Sequence, residues 1–250
     1  MIDINAKLGH WPYRPVPGLD DLLRAMDSLG IERACVSSLD AVFYLNPQDG
    51  NDELVTWVQP HRNRLIPLAV IKPTFRAWRE DLRRCFEEYG MRGVVLYPNY
   101  HRYELTSSSL HDLMETSIAR SVPVFLQAGL EDIRRQYDRE RISEVPAAQI
   151  GQVARAFPAA KVIALGLKIG QPEQMGQPLP DNLFFDTSNY EKMGELEFAV
   201  EHFGPGRIFF GTNFPLFNAR ANTDKLRLAN LDETARGKIG KENARHLLGL

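Results

Sequence analysis

Two cysteines, three tryptophans and no apolar run long enough to cross a membrane, in a chain of 250 residues, exclude several classes at once. A disulfide scaffold needs far more cysteine. Cys35 and Cys85 sit in apolar stretches, where buried free thiols in a reducing compartment are the expectation. A transmembrane helix needs roughly 20 apolar residues in succession. Asp3 and Asn5 interrupt the opening run and argue against an export signal, so the expectation is a cytoplasmic protein with no membrane partner. Charge of one sign is lacking too: 30 Lys and Arg against 32 Asp and Glu leave a net charge of -2, with no basic excess to attract nucleic acid. There is no G-x-G-x-x-G after the first strand and no P-loop lysine motif.

What is present is the material of a large core, 44% hydrophobic and 25% charged residues. The length suits one domain, 1–250, built as an eight-stranded α/β barrel. Short β-prone runs are expected around Ile2 and Ile4, then at 34–38, 65–71, 93–97, 123–127, 161–165, 183–187 and 207–211. Helical patterns alternate with them. One carries Leu22, Met26 and Leu29 up to Gly30; Asn51, Thr74 and Ser143 are expected to cap three others, and further helices are expected from Ser109, Tyr190 and Asp232. The Gly, Pro and Gln of 170–180 leave the sixth helix short or missing. Eight buried strands alternating with helices predict a (β/α)8 TIM barrel, of the α/β class.

Side chains two apart on a strand share a face, so Asp3, Asn5 and Lys7 are expected to project together from the carboxyl end of strand one, where such a barrel keeps its chemistry. His10 and Arg14 follow in the next loop. Tyr97 and His101 lie at and beyond strand four, Gln127 ends strand five, Lys72 and Lys168 stand at or just past strands three and six, and Asn213 sits on the turn after strand eight. Lysines facing one pocket select an anion and depress one another's pKa, and histidines exchange protons near neutrality. Each residue also has a structural reading: Lys7 snorkelling to the rim, Asn213 holding its turn, Gln127 bonded to Asn5 without function. The loop 128–143 mixes Arg134, Arg135, Arg139 and Arg141 with Glu131, Asp132, Asp138 and Glu140, with Glu144 just beyond, and reads as a solvated or substrate-gating segment.

Four stretches taken together carry a resemblance: IDINAKLGHWPYRP at strand one, GVVLYPNYHRYEL at strand four, VPVFLQAG at strand five, and RIFFGTNFP at strand eight with the closing KIGKENARHLLGL. The chain resembles the amidohydrolase-related branch of the amidohydrolase superfamily, TIM-barrel hydrolases and decarboxylases. In members with metal, that family places two histidines on strand one, one at the end of strand five, one on strand six and an aspartate on strand eight. Matched position by position, this chain has Asn5 and Lys7, Gln127, Gly166 or a neighbour, and Asn213. Carboxamides are weak ligands and an ammonium repels a dication, so the departures imply no catalytic metal and no cofactor.

The resemblance so modified implies a metal-independent hydrolase acting on a small anionic, cyclic or aromatic, carboxylate. Lys7 would hold the anion, His10 or His101 would move protons, and Asn5, Arg14, Lys72, Tyr97, Gln127, Lys168 and Asn213 would bind substrate. Two alternatives stand beside it: a non-catalytic barrel that binds a small ligand or partner protein, and a Schiff-base lyase using Lys72 or Lys168. Self-association into a homo-oligomer is left open.

Overall fold

The computed structural model describes residues 1–139, 141–168 and 170–250; Glu140, counted above among the charges of the long loop, lies outside the described residues. β1 (Ile2–Leu8) pairs in parallel with β2 (Arg33–Ser38), and β2 with β3 (Leu65–Pro67). The same stave continues as β4 (Ala69–Val70), which pairs with β5 (Val94–Leu96). β6 (Val124–Gln127), β7 (Val162–Leu165), β8 (Leu183–Asp186) and β9 (Ile208–Phe209) follow in order, all parallel. The Ile4 N–H donates to Phe210 O at 3.0 Å and the Lys7 N–H to Phe214 O at 2.7 Å, which joins the last stave to the first. The chain is a (β/α)8 TIM barrel.

Apolar residues sort by face. Ile2, Ile4, Cys35, Ile66, Val95, Phe125, Ile163 and Phe209 pack into one buried cluster, the lumen. Ala34, Val36, Leu65, Ile208 and Phe210 pack outward against helices such as α1 (Leu19–Leu29), whose Leu22, Met26 and Leu29 complete that layer. Helix α1 stops at Gly30, which takes the left-handed conformation (φ 68°) that spares glycine the steric cost. In place of a sixth helix there is one 3-10 turn at Pro172–Met175, as the proline and glycine content requires.

Local capping differs from expectation at three helices. After the short α2 (Asp40–Phe43), α3 (Pro47–Val58) begins at a proline in its first turn, with Asn46 accepting from the Gln48 N–H; Asn51 is therefore inside the helix and buried. Its carboxamide instead donates to Val70 O and accepts from the Val70 N–H, both at 2.9 Å. At that level β2 has turned away into α2, and Asn51 satisfies the backbone of β4 in its stead. Thr74 and Ser143 do not cap either: α4 (Trp78–Glu87) follows Ala77, and, beyond the short α5 (Pro98–His101) and α6 (Ser108–Ala119), α7 (Ala147–Ala156) follows Pro146.

Past α8 (Glu195–Phe203), α9 (Ala219–Leu228) was not expected. Its sequence ARANTDKLRL is mostly polar, and it forms because Asn218 accepts from the Arg220 and Ala221 N–H groups while Leu226 packs inward. Asp232 caps α10 (Glu233–Gly237) as expected, and α11 (Asn243–Leu248) ends the chain under the barrel, where Ala244, Leu247 and Leu248 join the lumen cluster.

Asn51→Leu leaves the buried donor and acceptor of Val70 without partners, so it is expected to cost about 3 kcal/mol of unfolding free energy in urea titrations. An unchanged midpoint would mean that water replaces the carboxamide.

Candidate functional site

The register of β1 against β2 shifts by one residue between Asp3 and Ala6. This bulge breaks the strict alternation assumed above. Asp3 stands beside Ala34 on the outer face, whereas Lys7 stands beside Ser37 at the mouth. Asp3 does not join Lys7; it accepts from the Asn5 N–H (2.9 Å), the Thr212 N–H (3.0 Å) and the Thr212 hydroxyl (2.5 Å), and so ties the bulge to the turn after β9. Burial pushes its carboxyl up to about 6, against the pull of these bonds.

Lys7 is 0% exposed. Its Nζ donates to Asn5 Oδ1 and, at 2.8 Å, to Asn213 Oδ1. Asn5 Nδ2 passes the network on to Asp186 Oδ2 at 2.8 Å and Ser188 Oγ at 3.3 Å, and Asn213 Nδ2 donates to Leu130 O at 2.8 Å. Asn213 holds a positive φ of 53°, a conformation that asparagine tolerates better than most residues, and this turns its carboxamide to the amine. Burial lowers the Lys7 pKa to about 7, although Asp186 and Asp3 pull it upward.

Asp186 is the central residue that sequence reading missed. Fully buried at the end of β8, it accepts from the Gly166 N–H at 2.7 Å as well as from Asn5. A carboxylate closing the apolar run LFFD was the available signal.

The other expected residues scatter. Gln127 is buried at the end of β6, but its Nε2 donates to Gly129 O at 2.7 Å, not to Asn5, and its Oε1 has no partner. Tyr97 is buried with its hydroxyl 3.2 Å from Ser37 Oγ. His101 turns inward, Nε2 3.2 Å from Ala41 O, and burial lowers its pKa to about 4, so it is neutral near pH 7 and unsuited to moving protons there. The His10 side chain is 82% exposed and leans on Asp40 at 3.1 Å. Lys168 is half-exposed and paired with Glu144 at 2.7 Å, and Lys72 is half-buried near His101. Neither of these two lysines reaches the Lys7 network.

Two loops seal the mouth above Lys7. Arg14 pairs with the buried Glu131, and Tyr13 stacks on Tyr137 with centroids 5.6 Å apart. Beside the seal, beyond the ends of β8 and β9, a cavity of about 680 Å³ opens between the 188–194 loop and α9. Ser188, Tyr190, Leu216, Phe217 and Lys225 are among its walls, so the Asn5 to Ser188 bond connects it to the Lys7 network. Arg135 and Lys192 also line it and form no ion pair among the described residues, whereas the lining Asp132 and Glu191 are both bonded to Arg134. The lining Glu197 also has no ion pair and accepts from the Asn230 N–H at 2.8 Å, so among the described residues the unpaired cations Arg135 and Lys192 outnumber one unpaired carboxylate.

The donor set at the mouth does not fit a dication. An amine stands among the would-be ligands, and the Asn5 and Asn213 oxygens already accept from it. At the strand-six position no side chain can project: a Cβ on Gly166 (φ +71°) would lie 2.2 Å from Gly129 O. Among the described residues, the histidine and carboxylate cluster with metal-like spacing is His111, Asp112 and Glu115 on the outer helix α6, where Asp112 is paired with Arg79.

Fold and mouth together define a TIM barrel whose polar centre is an internal amine held by carboxamides. The chain belongs to the amidohydrolase family, whose model matches residues 10–250. No curated protein matches the sequence. Among solved structures it is similar to a 2,6-dihydroxybenzoate decarboxylase complexed with 2,6-dihydroxybenzoate (TM-score 0.76, 18% identity, 100% of this chain and 99% of that one). It is also similar to 5-carboxyvanillate decarboxylase from Sphingomonas paucimobilis (0.79, 14%, 100% and 98%). A third is a dihydroxybenzoic acid decarboxylase from a Polaromonas species, with bound manganese and 2-nitroresorcinol (0.75, 20%, 100% and 96%). At such identities the likeness is one of fold.

With a folded pKa of about 7 against 10.5 unfolded, Lys7 carries fewer protons in the native state between those values, so its contribution makes stability rise with pH across that window. The difference in unfolding free energy between the native protein and Lys7→Met should therefore grow from pH 7 to pH 10; a constant difference would place the amine in water. Arg14→Met strands the Glu131 carboxylate and is expected to cost about 3 kcal/mol, read from the denaturation midpoint.

Proposed function

We propose that this chain is a metal-independent member of its family that takes up a small anionic aromatic carboxylate in the cavity beside β8 and β9. The observation that carries this is the Lys7 amine, held by Asn5 and Asn213 at the matched ligand positions, so that a fixed side chain occupies the electrostatic centre of the mouth. The ring of such a ligand suits walls of Tyr190, Leu196, Leu216 and Phe217, and its carboxylate suits Arg135 and Lys192. The ligands named for the similar structures, dihydroxybenzoate above all, support that class.

Ligand binding is favoured over hydrolysis at Lys7. A hydrolase would need water and substrate at that amine, which has no exposed surface and lies beneath the Arg14 to Glu131 closure. Ser188 links the cavity to the amine at one remove, so a bound ligand would sense the network without touching Lys7.

Isothermal titration with benzoate tests this, together with elemental analysis of the purified protein. Binding is expected to survive chelation and to weaken about fivefold in either Arg135→Gln or Lys192→Gln, as a half-exposed charge pair is worth roughly 1 kcal/mol. A stoichiometric transition metal whose removal abolishes binding would overturn the proposal.

A further inference from the structure

Lys225 was not among the expected residues, and no part of the Lys7 network uses it. It lies on α9 and lines the cavity described above. Its Nζ donates to Thr187 O at 2.9 Å and to Asn222 Oδ1 at 2.7 Å, and stands 5.8 Å from the centre of the Tyr190 ring. Thr187 O and Asn222 Oδ1 are both oxygens of neutral groups, and Lys225 forms no ion pair among the described residues. A neutral amine has two N–H donors and one lone pair, so these two bonds use both donors and leave the lone pair without a partner.

We propose that Lys225 is a nucleophilic amine that captures a small aromatic aldehyde or keto acid in this cavity as a Schiff base. The amine nitrogen adds to the carbonyl carbon, forming a C–N bond. The carbonyl oxygen then leaves as water with the two amine hydrogens, giving C=N with no net oxidation or reduction. Three features of the site serve this step. Thr187 O and Asn222 hold the amine in place, the walls of Tyr190, Leu216 and Phe217 accept an aryl group, and Arg135 and Lys192 face a carboxylate on it. Burial also lowers the Lys225 pKa to about 8, despite the carboxylates Asp186, Glu195 and Glu191, so a substantial share of the amine is neutral near pH 7.5. Schiff-base chemistry, which the sequence had suggested for Lys72 or Lys168, thus has its best geometry at a third lysine.

The choice of a ligand carrying a carboxylate rests on the proposed function; the amine chemistry does not. The test is reductive trapping at pH 7.5 with benzaldehyde and, separately, 4-formylbenzoate, each with cyanoborohydride, followed by peptide mapping. One adduct on Lys225 is expected, formed at least about tenfold faster than on the exposed Lys168. It should be absent in Lys225→Arg, which keeps the charge and whose fold is checked by circular dichroism, and it should be slowed by benzoate. Labelling spread over surface lysines, or unchanged in Lys225→Arg, overturns the inference. If benzoate binds by calorimetry but no adduct forms at Lys225, the inference fails and the binding reading stands. If benzaldehyde labels Lys225 while benzoate neither binds nor protects, the inference stands and the carboxylate reading fails.

Discussion

The contact on which this molecule depends is the one between the Lys7 amine and the side-chain oxygens of Asn5 and Asn213, because it is made where the barrel closes. Those residues sit on the first strand and on the turn after the last, beside the backbone bond from Lys7 to Phe214. A barrel held at this seam by backbone alone would leave a polar hole at its mouth, and a buried polar group without a partner costs more than the bond is worth. Amine and carboxamides fill the hole and satisfy one another. Asp186 then supplies a negative charge within the same network, through Asn5, which lets a lysine persist with no exposed surface.

From that seam the polar network runs in two directions with different consequences. Towards the first loop it is closed over by the Arg14 and Glu131 pair and by stacked aromatic rings. Towards β8 and α9 it reaches Ser188 and comes out at the cavity. The family's mouth is thus divided: an enclosed electrostatic core on one side, and on the other an accessible chamber with unpaired cations and an amine of its own.

Much of the scaffold was legible in the residues. Short runs such as VFLQ and VIAL are apolar because both faces of a barrel strand are covered, and Gly30 and Asp232 announce helix ends by local chemistry alone. Of the candidate site, Asn5, Lys7 and Asn213 were legible as a group through the matched motif, and the structure brings them together. His101 and Gln127 were at the expected places in the chain, yet their side chains turn to backbone carbonyls. Helix α9 and Lys225 were missed because a polar sequence capped by one asparagine carries little periodic signal.

The family resemblance, carried by the matched motifs, added that lysine and carboxamides stand where metal ligands would; local patterning alone determined that this chain makes eight buried strands and that they alternate with helices. These follow from propensities and spacing within a few residues. Tertiary structure alone decided that Asp3 leaves the mouth, since one extra residue in β1 rotates it to the other face. It also decided that Asn51 serves a strand and not a helix end, that Asp186 balances Lys7, and that Lys225 faces a cavity. Each of those outcomes joins groups far apart in the chain, and such pairings are set by packing and burial, which no local window contains.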